Sequence, residues 1–329
     1  MSSLAPLLET WFIEHLVKQR RSSPNTIAAY RDAFRLLLGF AQQQLGKPPS
    51  KLALPDLDAR LIGAFLEDLE QRRSNGARTR NARLAAVHSF FHFAALREPM
   101  HSALIQRVLA IPQKRFSRPV ITFLTAAEIT ALLATARSDA WIDRRDHALI
   151  LTMIQTGLRV SELTQLSCSD LQLSTGAHVR CMGKGRKERC VPLTSKTAAT
   201  LRAWLRGRDA TPHDPLFPNR VGGRLSRDAV ELLMDKHLRQ ARQSCPSLRD
   251  KDVTPHVLRH TSAMQLLQAG VDRAVIALWL GHESIETTQM YLHADLSLKE
   301  RALALTAPLQ TSTRRYRASD SLLAFLDGL

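Results

Sequence analysis

Apolar residues in the first hundred positions recur at helical spacing. In "SPNTIAAYRDAFRLLLGFA" the residues Ser23-Pro24-Asn25 are helix-start chemistry, and Ile27, Tyr30, Phe34, Leu37, Leu38 and Ala41 then fall on one face. That face predicts a buried stripe with Tyr30 in the core. "LPDLDARLIGAFLEDLEQR" and "RTRNARLAAVHSFFHFAA" predict two more amphipathic helices. The periodicity breaks between Leu109 and Thr125, where "IPQKRFSRPVITFLT" carries two prolines and three cations. It resumes at "TAAE", where Thr125 and Glu128 have capping-box spacing. The second half reads as helical with one interruption. "AHVRCMGKGRKERCVPL" alternates on both sides of "GKGRK" and predicts a β-hairpin. The tail, "TAPLQTSTRRYRASDSLLAFLDGL", reads as a polar basic spacer followed by a short apolar helix over Leu322 to Leu326.

Charge adds the next constraint. The 46 Lys and Arg outweigh 30 Asp and Glu in 329 residues, a net +16. An excess of that size points to a polyanionic partner, and arginine forks onto phosphate oxygens better than lysine does. Five arginines, Arg72, Arg73, Arg78, Arg80 and Arg83, surround the loop "SNGA" without an intervening acid. A helix opens there, and helix N-termini favour phosphate, so this cluster is expected to face DNA. Lys114, Arg115 and Arg118 make the break between the two halves a basic linker, expected to help two bodies close around a duplex.

Other classes are set aside on composition. Cys168, Cys181, Cys190 and Cys245 form no Cys-x-x-Cys pair and are expected to be reduced, packed thiols. The opening "MSSLAPLLETWFIEHL" has no basic leader and contains Glu9 and Glu14, and no apolar run is long enough for a bilayer. A cytoplasmic protein with no membrane partner is the expectation.

Four stretches of the second half put cations or imidazoles where a core would not. "TGLRVSEL" places Arg159 just beyond Gly157, read as a helix-ending glycine, and ahead of a helix opening near Ser161. "MGKGRKER" places Lys184 at the hairpin tip. "TPHVLRHTSA" opens with Thr254 as N-cap and Pro255 at the first helical position, so His256 and Arg259 lie one turn apart. "LGHESIETTQMY" supplies His282 after Gly281, and Tyr291 follows about two helical turns on. Phosphoryl transfer at a diester needs a nucleophile, donors for the non-bridging oxygens, a base and an acid. Two arginines, two imidazoles, a lysine and a tyrosine fill that list without a metal. His256 and His260 have an i, i+4 spacing that zinc could use, but HExxH is absent and no carboxylate or cysteine stands nearby. No metal and no cofactor is expected.

These motifs, "TGLRVSEL", "GKGRKERCVPL", "HVLRH", "LGH" and "TTQMYLH", resemble in kind, order and spacing those of the tyrosine recombinases, the phage-integrase family that includes the Xer proteins and Cre. The resemblance implies a mainly α fold with a small β-hairpin or sheet, in two domains. Residues 1–112 would form a helical, SAM-like core-binding domain, 113–121 a basic linker, 122–306 a mixed α/β catalytic domain and 307–329 a tail helix. It implies that Tyr291 is the nucleophile, that Arg159 and Arg259 clamp the scissile phosphate, and that Lys184 is the acid for the departing 5′-oxygen. His256 would be base or phosphate donor, His282 a hydrogen-bonding partner of the same phosphate, and Glu162 a support for the site. The implied activity is site-specific cleavage and rejoining through a 3′-phosphotyrosyl intermediate, for integration, transposition, cassette capture or Xer-like resolution. The implied partners are double-stranded recombination sites, a homotetramer on DNA, and an accessory recombinase or DNA-bending protein. A type IB topoisomerase-like nicking-closing enzyme and a catalytically idle DNA-binding relative are the alternatives.

Overall fold

The computed structural model describes residues 3–117, 121–136, 138–183 and 187–281. They fall into two compact bodies, one on each side of the basic stretch. The fold is mainly helical with one small antiparallel sheet, as expected.

The first body is all helix. Helix α1 (Leu4–Thr10) runs straight into a wider-wound π segment, Trp11–Gln19. Helices α2 (Pro24–Leu45), α3 (Ala59–Gln71), α4 (Ala77–Ala95) and α5 (Ser102–Leu109) follow. Ser23 caps α2 through its hydroxyl, 3.1 Å from the Thr26 amide, and Asp58 caps α3 at 2.8 Å from the Leu61 amide. The stripe read from α2 is the buried one at Phe34, Leu37 and Ala41. Tyr30 departs from the expectation. It is half-buried, its ring stacked 5.7 Å from Trp11 at the edge of the cluster that Trp11, Phe34 and Phe90 build. Residues 111–117 have no regular structure, yet their first part belongs to this body. The Asn81 amide brackets Lys114, donating to its carbonyl at 2.7 Å and accepting from its N–H at 3.0 Å.

The second body wraps around α7 (Trp141–Thr156). The run "ALILTMI" is apolar on every face, and Ala148 to Ile154 are all buried. Thr152 is tolerated there because its hydroxyl donates to Ala148 O at 2.7 Å. Helix α6 (Ala126–Ala134) opens with the expected capping box, Thr125 N–H donating to Glu128 Oε2 at 2.8 Å. After α8 (Val160–Gln165) come β1 (Leu171–Gln172), β2 (His178–Met182) and β3 (Glu188–Pro192), antiparallel in that order. The hairpin pairs Val179 with Val191 and Cys181 with Arg189. The third strand, β1, was not expected. Helices α9 (Ser195–Arg206), α10 (Arg227–Ser244), α11 (Pro255–Gln268) and α12 (Arg273–Leu280) complete the body. The apolar faces of α9, α10 and α11 close the main core over α7, and Met264, Ile276 and Leu280 make a smaller one between α11 and α12.

All four thiols are free. Cys181 is buried, and burial pushes its pKa up to about 11. Cys190, on the opposite face of the sheet, is exposed rather than packed. No helix among the described residues is long and apolar enough to cross a membrane.

Candidate active site

Two helix ends, two helix starts and one strand meet at the site. Helix α7 stops at Gly157 with φ +63°, and a Cβ there would lie 2.6 Å from Leu280 Cδ2 and 3.0 Å from Ser262 Oγ. Only glycine meets both demands, the left-handed backbone and the close approach. The chain then turns so that Arg159 stands at the N-cap position of α8. Its backbone N–H donates to Glu162 Oε2 at 2.8 Å and its guanidinium to Oε1 at 2.8 Å. Arg189 reaches the same carboxylate from β3 with a two-pronged fork, at 3.0 Å and 2.8 Å. The Glu162 side chain is 4% exposed. Burial alone would raise its pKa, but the hydrogen bonds and charge of Arg189 and the two bonds from Arg159 outweigh it and hold Glu162 below the ordinary carboxylate range.

Arg259 is more deeply set, at 2% exposure on α11. It donates to Gly157 O at 2.7 Å and to Leu280 O at 2.7 Å. Arg159 donates to Gly281 O at 3.2 Å, and Arg189 Nε to Trp279 O at 3.1 Å. Three consecutive carbonyls at the C-terminus of α12 are therefore held by three arginines from three different elements. The negative end of the helix dipole favours cations there. Each guanidinium carries five N–H donors, and the Arg159 side chain, 32% exposed, lines the cleft. Arg159 and Arg189 bond to one carboxylate, Glu162, so with Arg259 the site carries more positive than negative charge and suits a phosphate.

His256 stands exposed at the start of α11, one turn before Arg259, as the sequence predicts. Thr254 occupies the N-cap position, but its side chain makes no capping bond. A cleft of about 420 Å³ runs past Arg159, Ser161, Thr254, His256 and Arg259. The His256 ring lies 4.5 Å from that of His260 in an edge-on arrangement. Burial, then the charges of His256 and Arg259, lower the pKa of His260 to about 4. His260 is therefore a neutral imidazole near neutral pH. A group protonated at 6.5 when unfolded and at about 4 when folded binds more protons in the unfolded chain between those values. Stability is complete above pH 6.5 and falls as pH drops toward 4. In urea titrations across that window, His260→Gln is expected to show a flatter pH dependence than the wild type, and an identical slope would refute this.

Lys184, His282 and Tyr291 lie outside the described residues, as do Arg118 of the linker and the tail helix. The structure thus brings Arg159, Glu162, His256 and Arg259 together. It also adds Arg189, which the sequence reading did not select. A signal for it was present. Arg189 is two residues before the buried Val191 and opposite the buried Cys181, so a cation occupies the inward face of an amphipathic strand.

Of the arginines expected to face DNA, Arg73 and Arg78 are exposed around the α3–α4 turn. Arg72 is exposed but ion-paired with Asp68. Arg83 is half-buried and donates to Ala29 O at 3.1 Å. Arg80 is a correction. It is 7% exposed, 3.7 Å from Glu70, and donates to Pro112 O at 3.3 Å. It fastens the linker to α4 because its inward position turns it toward Glu70 rather than solvent. Lys114 is exposed but pairs with Glu70 at 2.7 Å, and Arg115 is exposed. Among the described residues, Asp143, Asp146 and His237 are close enough to hold one ion. Their atoms are already committed: Asp146 to Arg145 at 2.7 Å and to His237 at 3.0 Å, Asp143 to Lys236 at 3.4 Å. Arg145, His237 and Lys236 thus already engage these carboxylates.

The cleft is rich in cations, lined by Arg159, Arg227 and Arg259. The pattern of the Phage integrase family matches residues 122–297, and that of the phage integrase N-terminal SAM-like domain matches 10–98. A Sinorhizobium fredii protein that carries the name integrase/recombinase y4rC is 56% identical over 328 residues, covering 100% of this chain and 99% of that one. Tyrosine recombinase XerC of Pelobacter propionicus is 35% identical over 298 residues, covering 89% and 93%. The fold is similar to that of the XerH site-specific recombinase in a post-cleavage complex with a palindromic difH substrate, at a TM-score of 0.69 and 23% identity, covering 87% and 81%. The chain belongs to the phage integrase family, the tyrosine recombinases, whose activity is the site-specific breaking and rejoining of DNA.

Proposed function

We propose that this chain cleaves one DNA strand with the Tyr291 hydroxyl, forms a 3′-phosphotyrosyl bond, and releases a 5′-hydroxyl. A 5′-hydroxyl from a partner strand then attacks that bond and regenerates the tyrosine. One phosphodiester is exchanged for another at each step, so no nucleotide energy source is needed. Arg159 and Arg259 bind the non-bridging oxygens, His256 and His282 act on the same phosphate as base and hydrogen-bond donor, and Glu162 holds Arg159. The observation that carries this reading is the convergence of Arg159 and Arg259 on one cleft beside His256. The topoisomerase-like and catalytically idle alternatives are less well supported, because the relatives named above are integrases and recombinases along nearly their full length. A strand-exchange assay on paired sites tests the reading. Recombinant joints are expected, whereas relaxation without joints would favour nicking-closing and binding without either would favour an idle relative.

Recombination joins two duplexes and breaks four strands, so one tyrosine per strand implies a homotetramer on DNA. The apolar tail, with Leu322, Leu323, Phe325 and Leu326, is expected to form a short helix that serves as the handle between protomers, with docking on its own domain as the alternative. An accessory recombinase or DNA-bending protein is compatible with this assembly. Residues 1–112 would clamp one face of the duplex, 122–306 carry the chemistry, and Arg73, Arg78 and Arg115 contact backbone phosphates.

Lys184 is assigned as the acid for the leaving 5′-oxygen. Lys184→Ala is expected to cleave an ordinary phosphodiester slowly, by about 10²–10⁴-fold. It should recover on a 5′-bridging phosphorothiolate, whose sulfur leaves without a proton. Equal slowness on both substrates would show that Lys184 only shapes the hairpin.

A further inference from the structure

Arg189 ties together several parts of the site. From β3 it forks onto both oxygens of Glu162, at 3.0 Å and 2.8 Å, and its Nε donates to Trp279 O at 3.1 Å. Its side chain is 12% exposed. Two glycines pack against the same guanidinium. A Cβ on Gly183 would stand 2.9 Å from Arg189 NH1, and one on Gly281 would stand 2.8 Å from it. Gly183 is the residue before Lys184, and Gly281 is the residue before His282, in the segment that continues to Tyr291. One planar cation therefore sets the backbone from which the hairpin lysine departs and the backbone from which the histidine and tyrosine depart. Any side chain at either glycine would crowd a guanidinium held by three hydrogen bonds, and Gly281 also has a left-handed φ of +64°.

We propose that Arg189 is a positioning residue for strand cleavage, locking the hairpin that carries Lys184 to the C-terminus of α12 and to Glu162 in one frame. Among the described residues it touches Glu162, Trp279 and the two glycines, none of them a reacting group. Burial alone would favour its neutral form, but Glu162 overrides this, and its pKa is raised. It is a permanent cation, suited to a strut rather than to proton transfer. Lysine cannot replace it, because a single ammonium cannot bind two carboxylate oxygens and a carbonyl in this planar geometry.

The inference rests on the proposed roles of Lys184 and Tyr291, so the test first establishes those in the wild type. Full-length wild type, Tyr291→Phe, Arg189→Lys and Arg189→Gln are compared for DNA affinity and for single-turnover adduct formation at saturating protein. Oxygen and 5′-bridging phosphorothiolate substrates are used in parallel. With Tyr291→Phe inert and wild type active, both Arg189 variants are expected to bind DNA within about threefold of wild type. Their cleavage on oxygen should fall on the order of 10²-fold, the scale of loss from an ångström of misplacement. About a tenfold share of that loss should return on the sulfur substrate, where the displaced lysine no longer matters. The remainder reports the displaced nucleophile segment. If an Arg189 variant melts below the assay temperature, Glu162→Gln/Arg189→Gln removes the unpaired carboxylate and is measured in its place, with the same split expected. Cleavage near the wild-type rate, loss that merely follows DNA affinity, or equal deficits on the two substrates would each overturn the proposal. An adduct that survives Tyr291→Phe would bring down the reading of the site, and this inference with it.

Discussion

Tyr291→Phe is expected to bind its DNA site like the wild type and to form no protein–DNA adduct that survives denaturant. The substitution keeps the ring and removes only the attacking oxygen, so packing and affinity have no reason to change. A phenol with a pKa near 10 is a weak nucleophile at neutral pH, and its reactivity depends on the donors around the phosphate. Tyr30 and Tyr316 are the only other phenols in the chain. Tyr30 stacks on Trp11 in the first body and caps an aromatic cluster, so Tyr30→Phe should still trap an adduct. Tyr316→Phe should do so too. Denaturing gels of a nicked site, on which the released strand fragment diffuses away, give the readout. Adduct from Tyr291→Phe would reject the nucleophile assignment outright.

Several parts of this protein were legible in the sequence because their causes are local. Ser23 and Thr125 each announce a helix through a side-chain oxygen a few bonds from the amide it caps, and each does so in the fold. Gly157 before Arg159 could be read as a helix end because a left-handed cap needs no tertiary partner. The strand β1 was missed because two residues carry no alternation, and its pairing with β2 exists only in three dimensions. Arg80 was misread for a related reason. Its neighbours in sequence form a basic run, but its partners, Glu70 and Pro112, lie on α3 and on the linker. Arg189 shows the same limit at the site itself, since Glu162 and Trp279 stand 27 and 90 positions away. A charge on the inward face of β3 marks it as unusual. What it grips cannot be read until the chain folds.

Removing Arg259 should have the second-largest effect, and unlike the tyrosine it should act in two ways. Arg259→Ala is expected to slow adduct formation by about 10²–10³-fold, the range seen when one donor to a developing oxyanion is lost. Affinity for DNA should change far less, because binding is spread over many cations. The second effect is on the fold. Arg259 supplies 2.7 Å bonds to the carbonyls of Gly157 and Leu280, the ends of α7 and α12, from a position 2% exposed. Alanine leaves both carbonyls without that donor, at roughly 1–3 kcal/mol for each left unsatisfied. Thermal unfolding of Arg259→Ala without DNA should therefore begin at a lower temperature than that of Arg159→Ala. The Arg159 side chain is 32% exposed, and its carbonyl bond to Gly281 is longer, at 3.2 Å. Both alanine variants should lose cleavage to a similar extent, while only Arg259→Ala loses substantial stability. Arg259→Lys divides the two effects further, since it retains the charge but can no longer hold two diverging carbonyls and a phosphate together. It should regain part of the stability and little of the cleavage. Arg259→Lys cleaving at the wild-type rate would show that charge alone suffices and that the forked geometry at the end of α12 has no part in the reaction.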